Sequence, residues 1–150
     1  MTEAEVKQEI ATAFAYAYRH DDWITPLDEA LADLNPAQAR WSPRPDIPSI
    51  WEIVLHLALW NENIVERIER GNRSHPNESW PALPYDTDSA GWEAARERLR
   101  VSYAAIALII ETTSLDRLTG GYGLADLLCR LTHSGYHLGQ ITKLREWGSF

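Results

Sequence analysis

The stretch Leu131-Thr132-His133-Ser134-Gly135-Tyr136-His137-Leu138-Gly139-Gln140-Ile141 decides how the rest of the chain is read. Its two histidines stand four positions apart in a largely apolar run. In a helix, four residues turn through about 400° and rise about 6 Å, so the two imidazoles lie about 40° apart on one face. His-Glu-x-x-His helices use this spacing to offer two rings to one zinc ion. Pairs of partly buried histidines hydrogen-bonded to neighbours show the same spacing, and the stretch alone leaves both readings open. A third ligand on another segment would separate them.

Working outward, residues 124–147 read as one helix. Leu124, Leu127, Leu128, Leu131, Gly135 and Leu138 are expected to pack one face, with His133, His137, Gln140 and Ile141 on the adjacent one. Gly135 in mid-helix costs about 1 kcal/mol against alanine, which close approach of a neighbouring helix, or room at a site, would explain. Cys129 lies four residues before His133. It could act as a nucleophile or a fourth ligand, or be a small buried apolar residue, the commoner fate of a lone cysteine in a Leu-rich helix. Upstream, Gly120-Gly121-Tyr122-Gly123 reads as a turn. Thr87-Asp88-Ser89 offers an N-cap for a helix to about Thr112, in which Trp92, Ala95, Leu99, Ser102, Ile106 and Ile109 alternate steps of three and four, the seam of a bundle.

The third candidate ligand lies further back. Ser49-Ile50-Trp51-Glu52 is a capping box ahead of an apolar run, and predicts a helix to about residue 70, with Gly71 ending it. Ile50, Ile53, Val54, Leu57, Ile64 and Ile68 form its buried stripe. His56 falls about 40° from Trp60 and about 60° from Ile53, on the edge of the core face. Residues 72–86 hold Pro76, Pro81 and Pro84 with His75, Trp80 and Tyr85, and predict a long loop that is either a lid or a passive crossover.

Residues 2–19 are Ala-rich and helical in period, with Val6, Ile10, Ala13 and Ala17 at threes and fours. His20-Asp21-Asp22 interrupts them as a solvated turn, since adjacent residues point in different directions. Thr25-Pro26-Leu27-Asp28 restarts a helix with Thr25 at N-cap and Pro26 at N1, and Ile24, Leu27, Leu31 and Leu34 make its stripe. Asn35-Pro36-Ala37-Gln38 opens a further helical turn, and the three prolines of residues 41–48 predict an extended connection. No segment alternates with the period of a strand. The expected fold is therefore all-α, a four-helix up-down bundle whose first helix is broken near residues 20–25, with residues 1–150 as a single domain.

Composition sets outer bounds. Apolar residues make up 45% of the 150, which argues against disorder. A net charge of −8 with 14 scattered basic residues argues against a nucleic-acid partner. Seven Trp and six Tyr against two Phe favour polar-tipped aromatics, which suit a pocket rim or an interface as well as a core. One cysteine and no basic, apolar leader suggest a soluble cytoplasmic protein, and no apolar run approaches the roughly 20 residues that span a bilayer.

If the faces of the two helices meet, His56, His133 and His137 converge as three imidazoles, a donor set suited to zinc, nickel, copper or iron. Three protein ligands with open positions is the pattern of a catalytic rather than a structural metal. No Gly-x-Ser-x-Gly elbow, phosphate loop or Cys-x-x-Cys motif is present. Glu52 could serve as a base near His56, but the capping box already accounts for it.

The sequence Ser49-Ile50-Trp51-Glu52-Ile53-Val54-Leu55-His56-Leu57-Ala58-Leu59-Trp60, followed about 80 residues later by His133-x-x-x-His137-Leu138-Gly139-Gln140-Ile141, resembles the DinB/YfiT-like superfamily over nearly the whole chain. The resemblance implies a four-helix bundle, often dimeric, holding a divalent metal on His56, His133 and His137, with zinc or nickel the leading candidates. It further implies a small-molecule substrate. Characterised relatives include metal-dependent transferases and isomerases that use low-molecular-weight thiols, and others are described as metal-dependent hydrolases. Many relatives carry an acidic residue directly after the first His of the pair, where this chain has Ser134. Three functions are therefore weighed: a thiol S-transferase, a metal-dependent hydrolase, and a non-catalytic metal-binding dimer.

Overall fold

The computed structural model describes residues 1–20, 23–72, 74–120 and 123–150. They form α1 (Glu3–Tyr18), α2 (Leu27–Leu31), α3 (Pro36–Arg40), α4 (Ile50–Arg70), α5 (Ser89–Thr112), α6 (Leu115–Thr119) and α7 (Leu124–Gly148), with no strand among the described residues. The four long helices are the expected bundle.

Local chemistry sets most helix starts. Thr2 with Glu5, Asn35 with Gln38 and Ser49 with Glu52 each form reciprocal capping boxes, and Asp88 accepts from the Gly91 backbone N–H. Gly71 ends α4 at φ 66°, a left-handed conformation that other residues adopt at a cost. The second helix starts one residue later than the sequence suggests. Pro26 is the N-cap and makes no side-chain cap, so the short α2 depends on burial of Leu27 and Leu31. Ile24 lies outside that stripe and is half exposed. The break after α1 is present, but Asp21 and Asp22 lie outside the described residues, as do Gly121 and Tyr122 of the expected turn. The five-residue α6 was not foreseen. Its Leu118 is fully buried, and its Arg117 donates to the carbonyls of Ile68 and Glu69 at the end of α4.

Cross-helix pairs give the directions. Glu3 and Lys7 at the start of α1 reach Leu115 and Glu111 beyond and at the end of α5, so α1 and α5 are antiparallel. Trp51 meets Trp92, and Asn61 meets Ser102, so α4 and α5 run parallel. Arg67 meets Asp126 while His56 meets His133, so α4 and α7 are antiparallel. The order is thus up, down, down, up rather than the expected up-down alternation, with α4 and α5, and α1 and α7, as parallel neighbours. Two parallel helices in succession require a connection that returns the length of the bundle, and residues 71–88 are that crossover.

The core joins Phe14 and Tyr18 of α1, Trp51, Ile53, Val54 and Leu57 of α4, Leu99 and Ile106 of α5, and Leu127, Ile141 and Leu144 of α7. Ile110, not Ile109, is the fully buried end of the α5 seam. On α7 the buried face is rotated from the expected one. It comprises Leu127, Arg130, Ser134, His137, Leu138, Ile141 and Leu144, while Leu128 is 50% exposed and Gly135 is exposed. Cys129, expected to be buried, is exposed on the outer face.

Gly135 therefore has no packing reason to be glycine, since an added Cβ would meet nothing within 4 Å. Gly135→Ala is expected to stabilise the fold by about 0.5–1 kcal/mol, through helix propensity alone. Chemical denaturation measures this directly, and a destabilised variant would show that the outer face of α7 is covered.

Candidate metal centre

His56 comes from the middle of α4 and His133 and His137 from the middle of α7, whose antiparallel packing brings the two faces together. His133 Nε2 lies 3.1 Å from His56 Nε2 and 3.0 Å from His137 Nε2. The three rings form the one His/Cys/Asp/Glu group among the described residues that could hold a metal ion. His56 is 4% and His137 2% exposed, whereas His133 is half-buried.

The outer nitrogens fix the state of two rings. His56 Nδ1 lies 2.6 Å from the Ser79 carbonyl oxygen, which can only accept, so Nδ1 carries the hydrogen. His137 Nδ1 lies 2.6 Å from Gln140 Oε1, whose amide nitrogen is in turn directed to the Tyr136 hydroxyl, 3.2 Å away. In their neutral forms both rings then present an Nε2 lone pair toward His133. The donor that suits both lone pairs is a hydrogen on His133 Nε2. Exchanging that hydrogen for a cation puts three lone pairs on one point, so the donor set fits a divalent transition metal. It also leaves the hydrogen of His133 on Nδ1, a buried atom with no partner among the described residues.

Electrostatics keep the rings neutral. His133 is lowered to about 3, first by burial, then by the Arg130 charge and the other two rings. His137 is lowered to about 4 by burial and by His56, against a raising contribution from Gln140. His56 is lowered by burial, against a raising contribution from Ser79. At neutral pH all three are free bases, the form that binds metals.

The crossover forms one wall. Trp80 stacks on His56 with centroids 4.0 Å apart and stands edge-on to His137 at 5.7 Å. Ser79 is held by Trp60, whose indole N–H donates to the Ser79 hydroxyl. The loop is thus both the return path between parallel helices and a partial cover, with Trp80 still 43% exposed. On the far side of Gln140 is a cleft of about 520 Å³, lined by Ile47, Ile53, Tyr136, Gly139, Leu144 and Trp147 among others.

Other candidates fall elsewhere. His75 lies against Arg67, which donates to it, and His20 is exposed at the end of α1. Glu52 Oε2 accepts from the Ser49 backbone N–H and hydroxyl and remains a cap. Ser134 does not orient His133, because its hydroxyl donates to the Arg130 carbonyl and accepts from Tyr103. Ser79 and Arg130 carry no sequence signal, whereas Trp80 belongs to the loop that the sequence marks as either a lid or a passive crossover. Gln140 had a readable signal, since it follows His137 by three positions on one helix face.

No curated protein and no solved structure matches the chain. The family model described as DinB superfamily matches residues 24–141, a span that takes in His56, His133 and His137 with all of α4 and α7 as far as Ile141, and the chain belongs to the DinB superfamily.

Proposed function

We propose that His56, His133 and His137 hold one divalent transition metal, zinc or nickel, and that the site transfers a low-molecular-weight thiol to a small electrophile. The observation that carries this reading is the convergence of the three Nε2 atoms, with two rings oriented by acceptors on Nδ1. A cation there supplies positive charge that lowers the pKa of a thiol and makes it a nucleophile at neutral pH. The thiol sulfur forms the new bond to carbon, the leaving group departs with the electron pair, and the thiol proton passes to solvent.

The residues supply position and shielding. The Ser79 carbonyl and Gln140 amide hold two rings in one tautomer and orientation. Trp80 covers His56 and limits water, and the cleft beyond Gln140 offers apolar room for an electrophile. Transfer is favoured over hydrolysis because none of the three rings hydrogen-bonds a carboxylate among the described residues, and Glu52, the carboxylate nearest His56 in sequence, is engaged as a cap.

Metal-loaded protein is expected to consume a chloroaromatic electrophile only with an added thiol such as cysteine or glutathione, and to stop when chelated. Thiol-free cleavage of esters or amides would make the site hydrolytic. Neither activity, with metal bound, would make it a non-catalytic metal-binding protein.

We also place the chain in the cytoplasm, in keeping with its single, exposed cysteine, and as a homodimer. No described helix is long and apolar enough to cross a membrane. Exposed Val101 and Leu108 on α5 and Trp147 on α7 give apolar surface for a second copy. Sedimentation at micromolar concentration should give twice the 17.1 kDa chain mass, and the monomer mass would refute the dimer.

A further inference from the structure

We infer that Arg130 anchors the carboxylate of a small-molecule ligand beside the three histidines. Arg130 stands on α7 one turn before His133 and is 7% exposed. Its Nε and Nη2 are buried and meet no acceptor among the described residues. These atoms form the side-on edge of the guanidinium, whose parallel N–H bonds match the two oxygens of a carboxylate. The molecule uses that edge in this way at its surface: Arg44 holds Asp46, Arg98 holds Glu62 and Arg100 holds Glu97, each through Nε and Nη2. In Arg130 the same edge is turned inward, and the groups that act on its charge are Tyr103, Cys129 and Arg67, none of them a carboxylate.

Charge balance points the same way. Burial lowers the guanidinium only to about 10, so it remains a cation at neutral pH. Its charge acts on all three rings. Three neutral imidazoles bring no negative charge to a divalent metal, so loading the site adds positive charge near a buried cation that has no carboxylate partner among the described residues. A buried unpaired charge is costly, and a ligand carboxylate removes the cost for Arg130. The Nδ1 hydrogen that His133 must carry when its Nε2 is engaged is a further buried donor without an acceptor. The inference rests on the metal-site reading for where the ligand's reacting group sits, while the Arg130 edge stands without it.

The test uses propionate and its neutral analogue propionamide as probes of the full chain, metal-free and zinc-loaded, with binding followed by calorimetry and zinc content measured on each sample. Propionate is expected to bind and propionamide not to bind. Arg130→Met should weaken propionate at least tenfold, keep its zinc, and melt at or above the wild-type temperature, because an unpaired charge leaves the core. Arg130→Lys keeps a charge without the fork and should recover only part of the affinity. A gain for 3-mercaptopropionate over propionate on zinc loading, lost in Arg130→Met, assigns the carboxylate to the thiol partner; no such gain assigns it to the electrophile. Equal propionate affinity in wild type and Arg130→Met overturns the inference, as does propionamide binding as well as propionate. Melting several degrees below wild type in both Arg130→Met and Arg130→Gln would make Arg130 structural and also overturn it. Zinc uptake without propionate binding sinks this inference alone, and propionate binding without zinc uptake sinks the metal reading alone.

Discussion

His137→Ala is expected to lose tight metal binding, by at least about 100-fold in affinity, and still fold. Loss of the residues that merely orient a ligand costs about 10–100-fold, and His137 is itself one of only three donors. Its ring is 2% exposed, with Nε2 aimed at His133 and Nδ1 held by Gln140. Alanine leaves two rings, one on each helix, and a gap that water can enter from the side of His133. The fold survives because the large apolar contacts of α7 are made by Leu127, Ile141 and Leu144. A metal present at 100 times its Kd stabilises a protein by about 2.7 kcal/mol, so wild type should melt higher with zinc than with chelator, and the variant should not. Gln140→Leu should fall between them, with a loss of about 10–100-fold. Metal titration monitored by calorimetry checks the series. Full-affinity binding by His137→Ala would remove that residue from the ligand set.

Trp51→Ala is expected to give the largest loss of stability of any single core substitution in α4. Trp51 is fully buried, its ring centroid 5.3 Å from that of Trp92. Trp92 in turn donates its indole N–H to the Leu34 carbonyl at 2.7 Å, so this pair ties α4 and α5 to the segment between α2 and α3. Truncating a buried Trp costs about 3–5 kcal/mol. At about 2–4 °C per kcal/mol for a chain of this size, the melting temperature should fall by roughly 6–20 °C. Trp51→Phe should cost much less. It keeps an aromatic against Trp92 and removes an indole N–H that has no partner among the described residues. Thermal unfolding decides the point, and a drop under about 2 °C for the alanine variant would contradict the packing.

What could be read from the sequence is what is local. The caps at Ser49 and Asn35 involve residues three apart and act within one helical turn. The shared face of His133 and His137 needs only the helical repeat, and His56 was placed by its angle to Ile53 and Trp60. The departure on α7 has a physical cause. The face of α7 was assigned by hydropathy, but a site inside a bundle puts polar groups on the core side, so Arg130, Ser134 and His137 are buried while Leu128 is exposed. Hydropathy misleads where polar groups are buried for one another's sake or for a ligand's. Ser79 and Trp80 were illegible for a different reason. Ser79 is 23 positions from His56 and lies in irregular chain beyond the end of α4 at Arg70, and only the parallel course of α4 and α5, itself a property of the whole bundle, returns that segment over the site.

X-ray absorption at the zinc edge of zinc-loaded protein tests the metal centre most directly. One zinc per chain is expected, with three imidazole nitrogens at about 2.0–2.1 Å and light-atom ligands from solvent in what remains of the shell. Two or fewer imidazoles, or sulfur from the exposed Cys129 in the shell, would contradict it.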